Sequence, residues 1–366
     1  MGVRLMDGFD SYGVVADLDE RWATSNSATG LTLVTGRAGD ESISPSGQSL
    51  QWAAAQVTTE LRRSLGYPGF KDNTNPAVSD LYVFGFNVQF ASLPSGDTVF
   101  FSLGSHGDDS IEGGLAISST GEIKWIRDSV GSVVHTTTGT LTAGAWHHIE
   151  LRVDIEDQTA TSICEIAIDG SNEDFGGSVR LFGADPVTDL TFGPKVNTVG
   201  VFKIDDFYMI DELDGVSPTA KLGESQISTL YPNGDGNTSA WTRFSGATDW
   251  ESVDEGQGTS HDGDTTYLES QTTGQQSLFT FTNLDGGVTD VDVVAVNMIA
   301  KKNGLGGPGL HAAKRTSTTT VVDTGTVQRA AVDTYVSSQK VFETDGLGAS
   351  WTPANVDSSE FGIEVE

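Results

Sequence analysis

The first segment to examine for chemistry is one in which acidic side chains recur at every second position. In His148-Ile149-Glu150-Leu151-Arg152-Val153-Asp154-Ile155-Glu156, apolar and charged residues alternate with the period of an extended strand. Ile149, Leu151, Val153 and Ile155 therefore share one face, and Glu150, Arg152, Asp154 and Glu156 share the other. Two carboxyl groups about 5–9 Å apart on one surface are what glycoside hydrolysis requires, one acting as acid and the other as base or nucleophile. Arg152 stands inside this set, and a guanidinium holds neighbouring carboxylates ionised and unfit as a general acid. On that ground the chain is expected to be non-enzymatic.

Other residues that could act are poorly placed for it. His147 and His148 follow Trp146, but neighbours on a strand point to opposite faces and cannot both reach one centre. The remaining histidines, at positions 106, 135, 261 and 311, lack metal-ligand spacing, and Cys164 is the single cysteine, so zinc is disfavoured. With Ile163 and Ile166 beside it, Cys164 reads as an inert residue buried in a strand. Gly304-Leu305-Gly306-Gly307-Pro308-Gly309 has neither the lysine nor the Ser/Thr of a phosphate loop, and its proline opposes the helix start that would cradle phosphate. Asp262-Gly263-Asp264 reads as a tight turn. The basic stretch Lys301, Lys302, Lys314 and Arg315 reads as solvated hairpin edges, with an acidic partner surface as the alternative.

The elements that must position these groups are strands. A chain of 366 residues with 44 Gly, 10 Pro and frequent Ser and Thr favours many short strands joined by turns, in two domains each with its own core. Val83-Phe84-Gly85-Phe86-Asn87-Val88-Gln89-Phe90, Thr98-Val99-Phe100-Phe101-Ser102-Leu103, Gly114-Leu115-Ala116-Ile117-Ser118 and Ile123-Lys124-Trp125-Ile126 are strand-like runs between turn residues. Further runs follow at Ser277-Leu278-Phe279-Thr280-Phe281, Val291-Asp292-Val293-Val294-Ala295-Val296, Thr318-Thr319-Thr320-Val321-Val322 and Phe361-Gly362-Ile363-Glu364-Val365. A net charge of −31 opposes binding to nucleic acid or to an anionic membrane, and no run of eighteen apolar residues is available for insertion. The amino terminus has no basic segment followed by an apolar one, so the expectation is a product made in a host cytoplasm without a signal peptide.

The order of several blocks resembles a known family. Asp7-Gly8-Phe9-Asp10, then Gly144-Ala145-Trp146-His147, then Ile168-Asp169-Gly170, then Ile204-Asp205-Asp206-Phe207-Tyr208, resembles the laminin-G-like (concanavalin-A-like) jelly roll. The chain after it is similar to phage and prophage virion proteins in the blocks Leu222-Gly223-Glu224, Thr229-Leu230-Tyr231-Pro232-Asn233-Gly234-Asp235-Gly236, Trp241, Ser252-Val253-Asp254-Glu255 and Asp262-Gly263-Asp264-Thr265-Thr266-Tyr267-Leu268. Trp351-Thr352-Pro353 and Phe361-Gly362 fit the same pattern.

This resemblance implies an all-β fold, with an antiparallel laminin-G-like jelly-roll sandwich over 1–214, a linker over 215–221 and a smaller C-terminal β-sandwich domain over 222–366. It implies a structural component of a tailed-phage virion, on the particle exterior in a tail tip or fibre, assembled as a homo-oligomer with other virion proteins and in contact with host-surface carbohydrate. Capsid decoration is one alternative, and a stand-alone lectin or glycoside hydrolase is another. Concanavalin-like glucanases carry Glu-x-Asp-x-Glu, a pattern that Arg152 breaks here. No cofactor is implied except calcium, which laminin-G-like domains hold with loop carboxylates; Asp108, Asp109, Asp205 and Asp206 are the candidates, with Asp169 a further acidic turn residue.

Overall fold

The computed structural model describes residues 3–25, 30–37, 47–54, 59–65, 81–104, 111–155, 163–174, 181–183, 187–195, 200–211, 221–256, 258–304, 308–324 and 331–366. The chain divides into two compact units. The first comprises Met1–Phe9, Trp22–Arg37 and Gln48–Ile227, and the second comprises Asp10–Arg21, Ala38–Gly47 and Ser228–Glu366.

Among the described residues the first unit is built of two antiparallel sheets. One runs in the order β13 (Ser171–Asp174), β12 (Cys164–Ile168), β11 (Trp146–Asp154), β6 (Leu81–Phe90), β15 (Phe202–Ile210), β4 (Gln48–Trp52) and β3 (Leu31–Thr35), with β1 (Val3–Asp7) also pairing on β15. The other runs β10 (Ser129–Thr140), β9 (Glu122–Arg127), β8 (Gly113–Ile117), β7 (Thr98–Gly104), β14 (Asp189–Lys195), β5 (Glu60–Ser64) and β2 (Ala23–Ser25). The apolar sets seen as alternation in the sequence meet between the sheets. Phe86 of β6 lies 5.6 Å from Phe101 of β7 and 5.0 Å from Phe192 of β14, ring centre to ring centre. Phe84, Ile149 and Leu151 are fully buried on the same inner face. This is the concanavalin-A/laminin-G-like sandwich.

The second unit is a smaller β-sandwich. A sheet ordered β16 (Pro232–Ser239), β19 (Gln276–Phe281), β25 (Ser359–Val365), β21 (Leu310–Thr316) and β22 (Thr319–Val322) shares a core with the sheet β23 (Ala331–Val332), β20 (Val294–Lys302) and β24 (Val336–Phe342). Met298, Ala312, Phe342, Trp351 and Phe361 fill that core. A two-stranded ribbon pairs β17 (Thr242–Arg243) with β18 (Leu268–Glu269). Trp351-Thr352-Pro353 opens one helical turn, α1 (Pro353–Asp357), where the Thr352 side chain accepts from Asn355 N at 3.2 Å and proline takes a position that needs no N–H donor. The segment Asp10–Arg21 belongs to this unit through Tyr231, whose hydroxyl donates to Asp10 O at 3.0 Å, and through Arg21 Nη2, which donates to Asn297 Oδ1 at 3.0 Å.

Lys314 corrects the reading of the basic stretch as solvated edges. It lies on β21, an interior strand, is buried, and holds its ammonium 4.5 Å from the Phe342 ring centre while donating to Thr344 O. Lys301 pairs with Asp264 and sits 4.8 Å over Tyr335. Asp262-Gly263-Asp264 is a turn, with Gly263 at φ 65° and Asp262 accepting from Thr266 N and Oγ1. Cys164 is buried in β12.

Candidate functional site

Three neighbouring strands present the densest set of reactive side chains, on the face of the first sheet turned away from the apolar core. Register aligns His148 with Asn87 and Glu150 with Gly85 across β11 and β6, and aligns Asp205 with Asn87 and Tyr208 with Gly85 across β15 and β6. Because side chains alternate, these residues project opposite to Phe84, Phe86, Ile149 and Leu151. On β15 three residue steps separate Asp205 from Tyr208 where β6 takes two, a bulge that puts Asp206 at φ 50° and turns both aspartates to this face.

Gly85 makes the arrangement feasible. The Tyr208 ring lies across it, and a Cβ there would sit 2.1 Å from the ring carbons Cε1 and Cζ. Over that gap the phenol spans β6 and donates its hydroxyl to Glu150 Oε1 on β11. The His148 ring stacks beside Tyr208, 6.4 Å away at 26°.

Residues of the same unit lie over this face and tie into it. Lys221 donates to Asn172 Oδ1 and lies 3.7 Å from Glu165. Gly223 N donates to Glu150 Oε1 at 2.9 Å, Glu224 pairs with Arg37 Nη2 at 2.8 Å, and Ile227 N donates to Asp206 Oδ1 at 2.8 Å. Residues 221–227 thus form a strap across β12, β11 and β15. His148, Glu150, Asn87, Asp205, Asp206 and Tyr208 are each no more than 2% exposed.

His148 differs from its neighbours in having, among the described residues, no hydrogen-bond partner at either ring nitrogen. Burial holds its pKa below the ordinary histidine value; Arg37 lowers it further, against the opposite pull of Glu150, Glu224 and Asp169. A neutral imidazole with two unpaired nitrogens costs roughly 1–3 kcal/mol per unsatisfied group, and such a group in a folded protein calls for an explanation. Glu150, Tyr208 and His148 thus place a carboxylate, a phenol and an imidazole side by side on one face, with the first two hydrogen-bonded to each other.

The residues singled out in the sequence separate around this face. His147 points elsewhere: it accepts from Thr142 N at Nε2 (2.8 Å) and meets Asp169 Oδ2 at Nδ1 (2.7 Å), pinning the start of β11 to the Asp169-Gly170 hairpin turn. Both turn residues have positive φ, 49° and 77°, as a two-residue hairpin loop requires. Arg152 Nη1 donates to Glu165 Oε1 at 2.7 Å, its cross-strand partner on β12. Glu156, Asp108 and Asp109 lie outside the described residues. The carboxylate oxygens of Asp205 and Asp206 accept from Arg37 N, Asp206 N, Asn87 Nδ2 and Ile227 N. Among the described residues no group of three or more His, Cys, Asp or Glu gathers to hold a metal ion, and no helix is long and apolar enough to cross a membrane. Arg37 and Asn87 had no local signal, and Tyr208 and Glu224 stood only in blocks quoted for resemblance, since what unites the four is register and a covering segment.

Fold and face define a two-unit all-β protein whose first unit is a laminin-G/concanavalin-A-type sandwich with a covered polar outer face. No family model matches the chain, and no curated protein matches it. Among solved structures it is similar to an endo-β-1,4-glucuronan lyase from the fungus Trichoderma reesei, at 14% identity and TM-score 0.38 over 55% of this chain and 95% of that one. It is also similar to the alginate lyase Aly36B, at 12% and 0.34 over 57% and 96%, and to the cellulose induced protein Cip1, at 15% and 0.38 over 61% and 100%. The expectation of a non-enzymatic protein is withdrawn: the arginine on which it rested is bound to Glu165, and Glu150 receives a phenol instead.

Proposed function

We propose that this protein is directed at carbohydrate through the outer face of β6, β11 and β15. The observation that carries the reading is the buried His148, Glu150 and Tyr208 set, in which the imidazole keeps both nitrogens unpaired. A sugar offers closely spaced hydroxyls, each both donor and acceptor. The face offers a matching mixture: a carboxylate, a phenol, an imidazole and the Asn87 carboxamide. The same groups supply acid and base, so binding and bond cleavage belong in one assay.

The proposed setting is the exterior of a tailed-phage particle, with other virion proteins and further copies of the chain as neighbours, in a tail tip or fibre or as a capsid decoration. The ordered blocks over residues 222–268 support it. Bacterial surface polysaccharides are to be screened for binding and for release of oligosaccharides, using the wild type and Gly223→Ala. The substitution strains a glycine at φ 82° and so loosens the strap. Retention or cleavage that disappears in Glu150→Gln and Tyr208→Phe is expected; inactivity of both starting proteins on every polysaccharide sinks the reading. Absence of the protein from purified particles sinks the setting.

A further inference from the structure

We infer that residues 221–227 are an acid-released cover over the outer face of the first sheet, with His148 as its trigger. The strap is held by polar anchors: Lys221 on Asn172, Gly223 N on Glu150, Glu224 on Arg37 and Ile227 N on Asp206. Beneath the strap lies an imidazole that is 1% exposed and, among the described residues, has no hydrogen-bond partner at either nitrogen.

The groups around that imidazole decide the sign. From its own strand comes Glu150, from β15 the Tyr208 ring, from the strap Glu224, from the residues after β3 Arg37, and from the β12–β13 turn Asp169. Three carboxylates favour the charged form. Burial opposes it more strongly and Arg37 adds to that, leaving the closed state with a pKa below the ordinary 6.5. With the strap lifted, water reaches the ring and the ordinary value returns. A group whose pKa is depressed in the closed state supports that state above its open-state pKa and ceases to support it as the pH falls toward the closed-state value. The strap is therefore fully held above about pH 6.5, and its opening equilibrium grows roughly tenfold per pH unit below that until the closed-state pKa is reached.

Only the use of the uncovered face rests on the carbohydrate reading. Hydrogen exchange of the Gly223 and Ile227 amides in the full chain, corrected for intrinsic rate, reads the strap without any ligand. Protection of these two amides is expected to fall as the pH is lowered from 7.5 to 5.5, by no more than about tenfold per pH unit, while the β6–β11 ladder stays protected, and His148→Gln should flatten the dependence. Constant strap protection over that interval overturns the proposal. So does a loss shared equally by the β6–β11 ladder, or an unchanged pH dependence in His148→Gln. Should that variant not fold, the wild-type His148 ring signals decide: protonation without loss of strap protection also overturns it.

Discussion

Replacing Gly85 by alanine tests whether the tyrosine bridge organises the face. An alanine Cβ would sit 2.1 Å from Cε1 and Cζ of Tyr208 and 2.4 Å from its hydroxyl oxygen, well inside any tolerated contact. The ring must lift, yet Tyr208 is only 2% exposed and has little room to do so. Overpacking of this kind costs about 1–3 kcal/mol. Lifting the ring also withdraws its hydroxyl from Glu150, and a hydrogen bond to a charged group is worth about 1.5–3 kcal/mol. Alanine recovers about 0.5–1 kcal/mol over glycine in a strand. The net loss expected is ~2–5 kcal/mol. It is to be measured by urea unfolding followed through hydrogen exchange of β6 and β11 peptides, so that the first unit is read by itself. In a Tyr208→Ala background the obstacle is gone, and Gly85→Ala should then cost almost nothing. A loss below about 1 kcal/mol, or the same loss in both backgrounds, would refute the bridge.

Two further outcomes follow from buried polar groups. Burial holds the Lys314 ammonium below the usual lysine range, against the pull of Asp345 and Asp323. Its contribution to stability is complete above the ordinary lysine pKa and is lost as pH falls through the lowered value, so the second unit should gain stability from neutral pH toward about pH 10. Lys314→Met should remove that gain, so the urea midpoint of the wild type minus that of the variant should rise with pH; a constant or falling value contradicts the burial of the charge. His147 accepts from Thr142 N at Nε2, which leaves the ring proton on Nδ1 facing Asp169. Nitrogen NMR of the neutral ring should report the Nδ1–H form, and His147→Ala should cost no more than about 0.5–1.5 kcal/mol, since water can replace the ring at Thr142 N and Asp169, both exposed.

The strands of the first sandwich could be read from alternation because each has one apolar face, and the Asp169-Gly170 turn could be read because a two-residue hairpin needs positive φ at both positions. The face that matters could not. Alternation marks Glu150 as facing away from the core, but away from the core is not the same as toward water, and the segment that covers this face lay partly in what reads as a linker. Lys221 and Gly223 carry no apolar pattern; they act through an ammonium and a backbone N–H. The bulge at Asp205 and Asp206 was equally hidden, since an inserted residue changes which side chains share a face without changing composition.

Arg152 shows the physical reason most directly. Along one strand, residues two apart are about 7 Å apart, whereas directly opposed residues on paired strands bring their Cβ atoms to about 5 Å. A reading confined to the chain direction therefore gives the guanidinium to Glu150 and Asp154. Register gives it to Glu165, the nearer carboxylate, at 2.7 Å. Glu150 is opposed instead by Ala167 on one side and Gly85 on the other, two small residues that leave space above the sheet. Tyr208 fills that space from a strand further away. The chemistry of the face thus depends as much on its small residues as on its charged ones, and Gly85→Ala is a sharper probe of it than removal of any carboxylate.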